Sequence, residues 1–447
     1  MSDNLTNYVD QLAAFAAELR YESLPAEAAD RVRLVILDVC GAAIGAMSEP
    51  ELRALAAWAE REGGGPSAQT LAFGSAGVAL ELDEGCAASK GHPGVHVVPA
   101  ALAHAGKRRL PGSALVVAVA AGYEIAARLG AASDLRPGLH PHGTWGACGA
   151  AAAVGHLIGL DRRRMAQALR IAACLSLATN YRAVHEGTTV RNLWSGFGGF
   201  SGGLAAEMAA AGFTGPLDAP AEVYGGTIGN GFDRDKAVME LGRRWLILDN
   251  YFKIYACCRH AHASVDALRS ACEGRPIDPS SVEAISVFTY GRAVASTGRP
   301  EPPRTPLAAK FSLPYILATW LHRADLGPDS FRPPVLGDPA IMATAGKVTC
   351  LEDHKYTRLM PGTRGARVAL RLTTGEELAG EALGSRGDPH APLSRAEVRE
   401  KFLGLASPVL GGPEAEGLAK AILGLDHASG VPAVFECLND SMRKAAQ

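Results

Sequence analysis

The segment ELDEGCAASKGHPGVHVVPAALA, residues 81–103, gathers groups that could transfer protons or bind an anion. Its first sixteen residues contain three carboxylates, one lysine and two histidines: Glu81, Asp83, Glu84, Lys90, His92 and His96. Pro93-Gly94 interrupts the chain directly after His92. This predicts that His92 lies on a turn at a helix start, where backbone N–H groups favour anions. We interpret the segment as one wall of a substrate pocket; the alternative is a capping loop with solvated charges.

Two further segments contain paired histidines. In RPGLHPHGTWG, His140 and His142 lie between Pro and Gly residues, in a stiff loop that suits acid/base chemistry or a metal. No HxxxH or HExxH spacing occurs and the nearby cysteines form no ligand set, so we predict no metal site. Neutral histidines held by loop carbonyls are the alternative. In YFKIYACCRHAHASVDAL, His260 and His262 point in different directions, and we expect only one of them to be functional.

Cationic side chains accompany these histidines. The glycine-rich segment HEGTTVRNLWSGFGG lacks both phosphate-loop patterns, which leaves Arg191 as a fixed cation suited to bidentate carboxylate binding. Arg259 precedes the histidines of its own segment. In AAKFSLPY, Lys310 and Tyr315 border a predicted buried helix, and a snorkelling lysine with a core tyrosine is the favoured alternative there.

Taken together, these residues indicate proton transfer on a small anionic substrate. No nucleophile elbow, cofactor loop or metal motif occurs, so we predict that the reaction needs no cofactor. A base near neutral pKa would remove a C–H proton alpha to a carboxylate, while cations hold the developing charge. A second histidine or acid would then protonate a leaving hydroxyl, or return a proton to carbon.

Composition limits the classes of partner and location. The 447 residues are 48% hydrophobic and 20% charged, which is typical of a folded globular protein. The formal charge is -2 and no basic block occurs, so we expect neither nucleic acid nor membrane as a partner. The nine cysteines form no CxxC pair, and the N-terminus lacks a secretory pattern. We predict a cytoplasmic protein with reduced thiols.

The elements that must position these residues are mainly helices. From about residue 5 to 265, Ala- and Gly-rich helical patterns follow one another, and Gly196, Gly199 and Gly203 predict close helix packing. Strand patterns begin after about residue 275, and RVALRLTTGEELAGEAL predicts two strands that turn at Thr374-Gly375. A capping box at Ser394 and Glu397 then starts a helix. We therefore predict a mainly α fold. Residues 1–268 and 400–447 would form a large all-helical domain, and residues 269–399 an inserted, smaller α+β domain.

These segments also occur in the order found in one family. ELDEG…GHPGVHVVPAALA resembles the DFDD(T/S)…HP(G/S)…PA motif of the MmgE/PrpD family, and GLHPHGTWGACGAAAA resembles its GWHPTGT(x)G…GAAAA motif. GTTVRNLWSGFGG…AAGFTGP is similar to its GTxTKPxHxGxAA…GFTG motif, YFKIYACCRHAHASVDA to FKxYPxCxxxHxxID, and AAKFSLPY to A(Q/K)FSxxY. Each match alone is weak, whereas five in order across nearly the whole chain are specific.

The resemblance implies a homodimer whose subunits each combine the all-helical domain with a lid domain, residues 269–399, and a cofactor-free site between the two domains. Carried over residue by residue, it marks five catalytic candidates: Asp83, Glu81, His92, His140 and His262. Substrate binding then falls to six residues: Arg191, Lys90, His142, Arg259, Lys310 and Tyr315. Three of these positions depart from the family pattern. The chain has Glu81 where the family motif has Asp, Arg191 where it has Lys, and His142 where it has Thr.

The family includes 2-methylcitrate dehydratase, cis-aconitate decarboxylase and iminodisuccinate epimerase. We therefore expect a lyase that dehydrates a small hydroxy di- or tricarboxylate. The alternatives are an epimerase or a decarboxylase of a related polycarboxylate, which share the alpha-carbanion chemistry. An alternative of another class is a non-catalytic relative that only binds its ligand.

Overall fold

The structure, a computed structural model, describes residues 7–427 together with residues 431, 436, 439 and 440. It is 61% helical and 9% strand, which confirms the predicted mainly α fold. Residues 1–6, Cys437 and most of the last twenty residues of the predicted all-helical domain lie outside the described residues.

In the described residues, the N-terminal part contains thirteen α-helices and four short strands. The helices are α1 (Tyr8–Glu18), α2 (Ala26–Gly45), α3 (Pro50–Arg61), α4 (Pro66–Ala79), α5 (Gly94–Lys107), α6 (Gly112–Ala132), α7 (Gly146–Leu157), α8 (Arg162–Cys174), α9 (Arg182–Glu186), α10 (Val190–Ala210), α11 (Ala219–Ala221), α12 (Arg234–Val238) and α13 (Arg259–Cys272). The strands are β1 (Gly85–Cys86), β2 (Ser133–Leu135), β3 (Gly229–Phe232) and β4 (Asn250–Tyr251), which pair as β1 with β4 and β2 with β3.

Helix α6 is the central helix of this part. It is long and apolar enough to cross a membrane by length and composition, but 94% of its apolar window is buried inside the protein, so it is a core helix. Glu124 and Arg128 are four residues apart, a spacing that predicts an ion pair on one face of the helix. The pair is present, because Arg128 Nε lies 3.2 Å from Glu124 Oε2. Two buried charges separated by one helical turn thus balance each other inside the core.

Helix α10 lies against α4, α5 and α7 at a distance that only glycine permits. A Cβ atom at Gly196 would lie 2.1 Å from the carbonyl oxygen of Leu71 on α4, and one at Gly202 would lie 2.3 Å from the carbonyl oxygen of Ala147 on α7. This confirms the close packing predicted from the recurring glycines. The close approach also fixes where the first turn of α10, which carries Arg191, meets the end of α4.

The second part combines helices with a four-stranded sheet. Its elements are β5 (Val282–Thr289), α14 (Gly291–Thr297), α15 (Pro306–Lys310), α16 (Leu313–Arg323), α17 (Pro339–Ala345), β6 (Val348–Glu352), α18 (His354–Leu359), β7 (Gly365–Leu372) and β8 (Glu377–Leu383). The strand order is β6-β5-β7-β8, with β5 parallel to β6 and antiparallel to β7. The predicted β7–β8 hairpin is confirmed, and Gly375 supplies the left-handed residue of its turn, with φ 84°.

Helices α19 (Arg395–Leu410) and α20 (Gly412–Leu423) return to the helical part. The predicted capping box is present, because the Ser394 hydroxyl accepts from the Glu397 N–H while the Glu397 carboxylate accepts from the Ser394 N–H. The Phe402 side chain reaches Gly41 of α2, where an added Cβ would lie 3.0 Å from it. Helix α13 runs through the predicted boundary at residue 268, and the assignment of residues 269–399 as a lid stays a prediction.

One predicted element is corrected. The apolar pattern of TPLAAKFSLPYILATWLH, which contains Lys310 and Tyr315, predicts a single buried helix, but the segment forms α15 and α16 with a break at Phe311-Ser312. The Ser312 hydroxyl accepts from the Tyr315 N–H and begins the second helix, and Pro314 fits its first turn. The break turns Phe311 towards the cavity described below.

Candidate active site

A cavity of about 370 Å³ lies where the acidic segment, the His140 loop and the second part of the chain meet. Its lining includes six of the eleven residues predicted for the site: Glu81, Lys90, His92, His140, Arg191 and Arg259. Tyr181, Lys236, Tyr251, His260, Arg292, Phe311, Met360, Pro361 and Arg364 also line it. The volume suits a small-molecule ligand.

The acidic segment is fixed at its start by the end of α4. A helix leaves its last carbonyl groups without partners, and cations are favoured there. Arg191 donates to the carbonyl oxygen of Val78 at 3.1 Å, and Lys310 donates to that of Ala79 at 2.7 Å. Lys310 is therefore held as a helix cap, and the chain leaves α4 in a defined direction.

Pairing of β1 with β4 fixes the segment further along. Gly85 pairs with Tyr251, and Cys86 pairs with Asn250. A Cβ at Gly85 would lie 2.4 Å from the Tyr251 hydroxyl, so only glycine allows this approach. The pairing brings Lys253, two residues beyond Tyr251, against the carboxylates of the acidic segment.

Two carboxylates and two cations form a buried network beside the cavity. Lys253 Nζ lies 3.1 Å from Glu81 Oε2 and 3.1 Å from Asp83 Oδ1, and Arg191 pairs with Glu81. Burial alone would raise the pKa of Asp83, but the charges of His92, Lys253 and Arg191 outweigh burial and lower it. Burial likewise disfavours charged Lys253, yet Asp83 and Glu81 raise its pKa. Asp83 and Lys253 therefore stay ionised.

His92 has its ring orientation fixed by the Glu84 carbonyl oxygen, with the Asp83 carboxylate also close to the same ring nitrogen. Its Nδ1 lies 2.8 Å from Asp83 Oδ2 and 2.7 Å from the carbonyl oxygen of Glu84. Because both are acceptors, Nδ1 must carry a hydrogen. When the ring is neutral its lone pair therefore lies on Nε2, which has no hydrogen-bond partner among the described residues. His92 is thus arranged as a base, with a carboxylate placed to balance the charge when it takes up a proton.

His140 is held as the opposite tautomer. Its Nδ1 accepts from the backbone N–H of His142 at 3.2 Å, so its hydrogen lies on Nε2. Thr179 fixes the loop by accepting from the His140 N–H and donating to the His140 carbonyl oxygen. Burial, with nearby Arg191 and His92, lowers the pKa of His140 well below its usual value. The cavity is therefore lined by one histidine arranged to accept a proton and one arranged to donate a hydrogen bond.

His96 and His142 lie behind these two histidines and do not line the cavity. His96 Nδ1 donates to the carbonyl oxygen of His92 at 3.0 Å, and its Nε2 accepts from the Gly143 N–H at 3.1 Å, which ties the two loops together. Burial lowers the pKa of His96 to about 4, consistent with a neutral ring. The His142 ring centroid is 4.4 Å from that of His140, and neither of its nitrogens has a partner in the described residues.

Asp83, His92 and His142 also have the spacing of metal ligands. One ligand atom from each lies within 4.8 Å of the others. The surroundings do not suit a divalent cation, because Lys253 already balances Asp83 and the Arg191 guanidinium would repel added positive charge. We therefore interpret these residues as a proton-transfer group, and the absence of a metal site stays a prediction.

Of the two histidines on α13, His260 lines the cavity and His262 does not. His260 Nδ1 lies 2.6 Å from the Tyr290 hydroxyl, and its ring lines the cavity. His262 packs behind Arg259, where Nδ1 lies 2.9 Å from the guanidinium and Nε2 donates to the Cys257 carbonyl oxygen at 3.2 Å. A direct catalytic role for His262 therefore does not fit its place, which is that of a support for Arg259.

Three predicted binding residues have structural partners. Lys310 and Tyr315 do not line the cavity; Lys310 caps α4, and the Tyr315 hydroxyl donates to the carbonyl oxygen of Ser330 at 2.8 Å. These two residues belong to the core, as the alternative reading of AAKFSLPY expected. Lys90 does line the cavity, and its ammonium group also donates to the carbonyl oxygen of Ser133.

The charge of the cavity comes from cations that have no acidic partner. Arg191 is balanced by Glu81, and Arg259 is paired with Asp388, with 2.5 Å between Nη2 and Oδ1. Within the described part of the chain, no carboxylate lies within 4.0 Å of four other lining cations: Lys90, Lys236, Arg292 and Arg364. The cavity therefore carries a surplus of positive charge, which suits a polyanion.

Sequence reasoning missed Lys253 and Arg364. Lys253 stands alone in the apolar run YFKIYACC, and a buried lysine requires a carboxylate partner, so the sequence does contain a signal for this residue. Arg364, in GTRGARVAL, carries no local signal, because only the fold brings the start of β7 to the cavity.

Comparisons with known proteins cover nearly the whole chain. Family models of the MmgE/PrpD N-terminal domain and C-terminal domain match residues 10–228 and 255–427. A cis-aconitate decarboxylase-like protein of Aspergillus oryzae is 26% identical, over 98% of this chain and 98% of its own length. A cis-aconitate decarboxylase of Aspergillus terreus is also 26% identical, over 98% of this chain and 97% of its own length.

Proposed function

Since the chain belongs to the MmgE/PrpD family, we propose that it is a cofactor-independent lyase. Its reaction would transfer a proton to or from a carbon atom of a small polycarboxylate. The observation that carries this proposal is the pair of opposed histidine tautomers, with Asp83 behind His92 and a surplus of cations around the cavity. Family membership and the decarboxylase relatives support lyase chemistry at the coarse level. The individual reaction is a finer proposal.

Decarboxylation of a cis-aconitate-like tricarboxylate is the first candidate, because the relatives are named as a cis-aconitate decarboxylase and a cis-aconitate decarboxylase-like protein. In this reaction a C–C bond breaks and CO2 leaves. The electron pair passes through the adjacent double bond to a carbon alpha to a second carboxylate, and that carbon takes up one proton. Cavity cations would hold the developing charge on the second carboxylate, and His92 in its protonated form would supply the proton.

Dehydration of a 2-methylcitrate-like hydroxy acid, the reaction expected from the sequence, is the second candidate. It requires a base and an acid at once, since a C–H proton leaves while the departing hydroxyl gains a proton. The opposed tautomers favour this reaction specifically: His92 Nε2 can accept the proton, and the N–H of His140 can assist the leaving group.

A single set of incubations in D2O separates the candidates. The purified protein is supplied with cis-aconitate or 2-methylcitrate while CO2 release, double-bond absorbance and deuterium in the carbon skeleton are recorded. Decarboxylation predicts CO2 and one deuterium per product. Dehydration predicts an absorbance change without CO2, and deuterium entry with neither signal would indicate an epimerase. Absence of all three signals with every polycarboxylate tried would contradict the proposal and favour a ligand-binding relative.

The homodimer and the cytoplasmic location belong to the same proposal. Family membership supports the former. The described cysteines are free thiols, which supports a reducing compartment.

A further inference from the structure

Arg364 occupies a distinctive position in the cavity. It directly precedes β7, so it is supplied by the sheet-containing part of the chain, whereas His92 comes from the helical part. Its guanidinium carbon lies 5.1 Å from the centroid of the Tyr251 ring. The same ring lies 6.2 Å, edge to face, from the ring of His92. Tyr251 therefore contacts both residues, and a small ligand in the cavity can reach both of them.

A second arginine contacts the same ring but is already neutralised. The Arg259 guanidinium carbon lies 4.7 Å from the Tyr251 centroid. Asp388 pairs with this guanidinium, and its Nη1 lies 2.9 Å from His262 Nδ1. The charge of Arg259 is thus already balanced by Asp388, and Arg259 packs with Tyr251 as part of a rigid support.

Arg364, by contrast, lacks such partners. Its Nε is buried and has no hydrogen-bond partner, and no carboxylate lies within ion-pair distance in the part of the chain that the structure describes. Leaving a buried guanidinium donor unpaired is costly, so such a group is expected to be satisfied by an anion. The fork of an arginine matches a carboxylate in a bidentate manner, whereas a lysine offers a single point of charge.

We propose that Arg364 binds a substrate carboxylate remote from the carbon that reacts at His92, and so selects substrates with at least two carboxylates. The inference rests on the proposed function for the identity of the reacting carbon. The carboxylate-binding role itself can be tested without any turnover. Tyr251 acts as the positioning residue, because its ring packs against the Arg364 guanidinium.

The test measures binding of tricarballylate, a saturated tricarboxylate, by titration calorimetry. Three variants are compared with the wild type: Arg364→Met, Arg364→Lys and, as a matched control, Arg371→Met. Arg371 lies on the same β7 strand but is exposed and paired with Glu283. We expect Arg364→Met to bind about 10- to 100-fold more weakly, Arg364→Lys to be intermediate, and Arg371→Met to match the wild type. Circular dichroism establishes that each variant is folded.

Equal affinity of wild type and Arg364→Met for tricarballylate, or no binding by the wild type, would overturn the inference. Arg364-dependent binding by a protein that turns over no polycarboxylate would contradict the proposed reaction but support the carboxylate site. The experiment can therefore contradict the carboxylate-binding role of Arg364 and the proposed reaction independently of each other.

Discussion

Arg191 and Glu81 form a buried ion pair beside the cavity, and both are positions at which the chain departs from the family pattern. The two departures therefore belong to the same ion pair. The longer Glu81 side chain reaches the guanidinium of α10 while its other carboxylate oxygen holds Lys253. Arginine also keeps a donor for the Val78 carbonyl oxygen, which a lysine paired with Glu81 would have to share.

This relationship predicts coupling between the two positions. Arg191→Lys and Glu81→Asp should each lower kcat/KM and stability, because either change lengthens the ion pair. The double variant, which restores the usual family residues, should lose less than the sum of the single changes, with a coupling of about 0.5–3 kcal/mol. Kinetics and urea unfolding of the four proteins measure this coupling, and strict additivity would show that the two residues act independently.

Lys253 should be essential for stability. Its side chain is fully buried between Glu81 and Asp83, so Lys253→Met leaves two buried carboxylates without their shared cation. Breaking a buried pair in this way costs about 3–5 kcal/mol. Urea unfolding measures the loss, with Lys355→Met as the control, because Lys355 pairs with Glu381 on the surface. A loss as small as that of the control would mean that the network does not carry this charge balance.

Glu84 should make the protein less stable as pH rises. It accepts from the Gly94 N–H and the Tyr123 hydroxyl, and burial together with Asp38 and Asp83 raises its pKa to about 8. Between the ordinary glutamate pKa near 4.5 and pH 8, the folded state holds a proton that the unfolded state has lost. The contribution of Glu84 to the free energy of unfolding should therefore fall by about 1.4 kcal/mol per pH unit in this window.

Comparison with Glu84→Gln isolates this group from other titrating residues. The difference in unfolding free energy between wild type and variant should change across pH 5–8 with the sign given above. If this difference does not change with pH, the result would contradict the claim that the buried Glu84 carboxyl group is protonated in the folded state.

A homodimer remains a proposal, and α10 offers the surface on which to test it. Val190 and Leu193 are 47% and 39% exposed, and Phe197 and Phe200 continue the same helical face half-buried. We expect light scattering to give twice the chain mass at micromolar concentration, and Leu193→Asp to shift the protein towards monomer. Leu383→Asp, at an exposed leucine on β8, is the control. A monomeric wild type would contradict the expected dimer.

Much of the fold could be predicted because its signals are local. The Glu124–Arg128 spacing, the capping box at Ser394 and the turn at Gly375 each depend on residues close in sequence, and each is present. The break at Ser312 was missed because the apolar pattern continues through it. There, a serine cap followed by a proline outweighed hydrophobic periodicity.

The candidate site was predictable only in part, for a physical reason. The histidine-rich loops could be found because His92 and His140 lie beside Pro and Gly residues that fix their backbone. His260 and His262, two positions apart, differ only in which side of α13 faces the cavity, and the sequence pattern does not decide this. The position of Arg364 in the cavity depends on the path of the chain into β7. This long-range feature leaves no signal in the local sequence.

The most direct test of the proton-transfer account is the effect of His92→Gln on turnover in D2O. The glutamine side chain keeps polarity and approximate size but cannot take up a proton. With the substrate identified by the incubations above, we predict that His92→Gln lowers kcat and deuterium incorporation together by at least about 100-fold. Tricarballylate affinity should stay within a few-fold of the wild type, and His354→Gln, at an exposed histidine, should retain full activity. Undiminished turnover and deuterium incorporation in a folded His92→Gln protein would contradict the account.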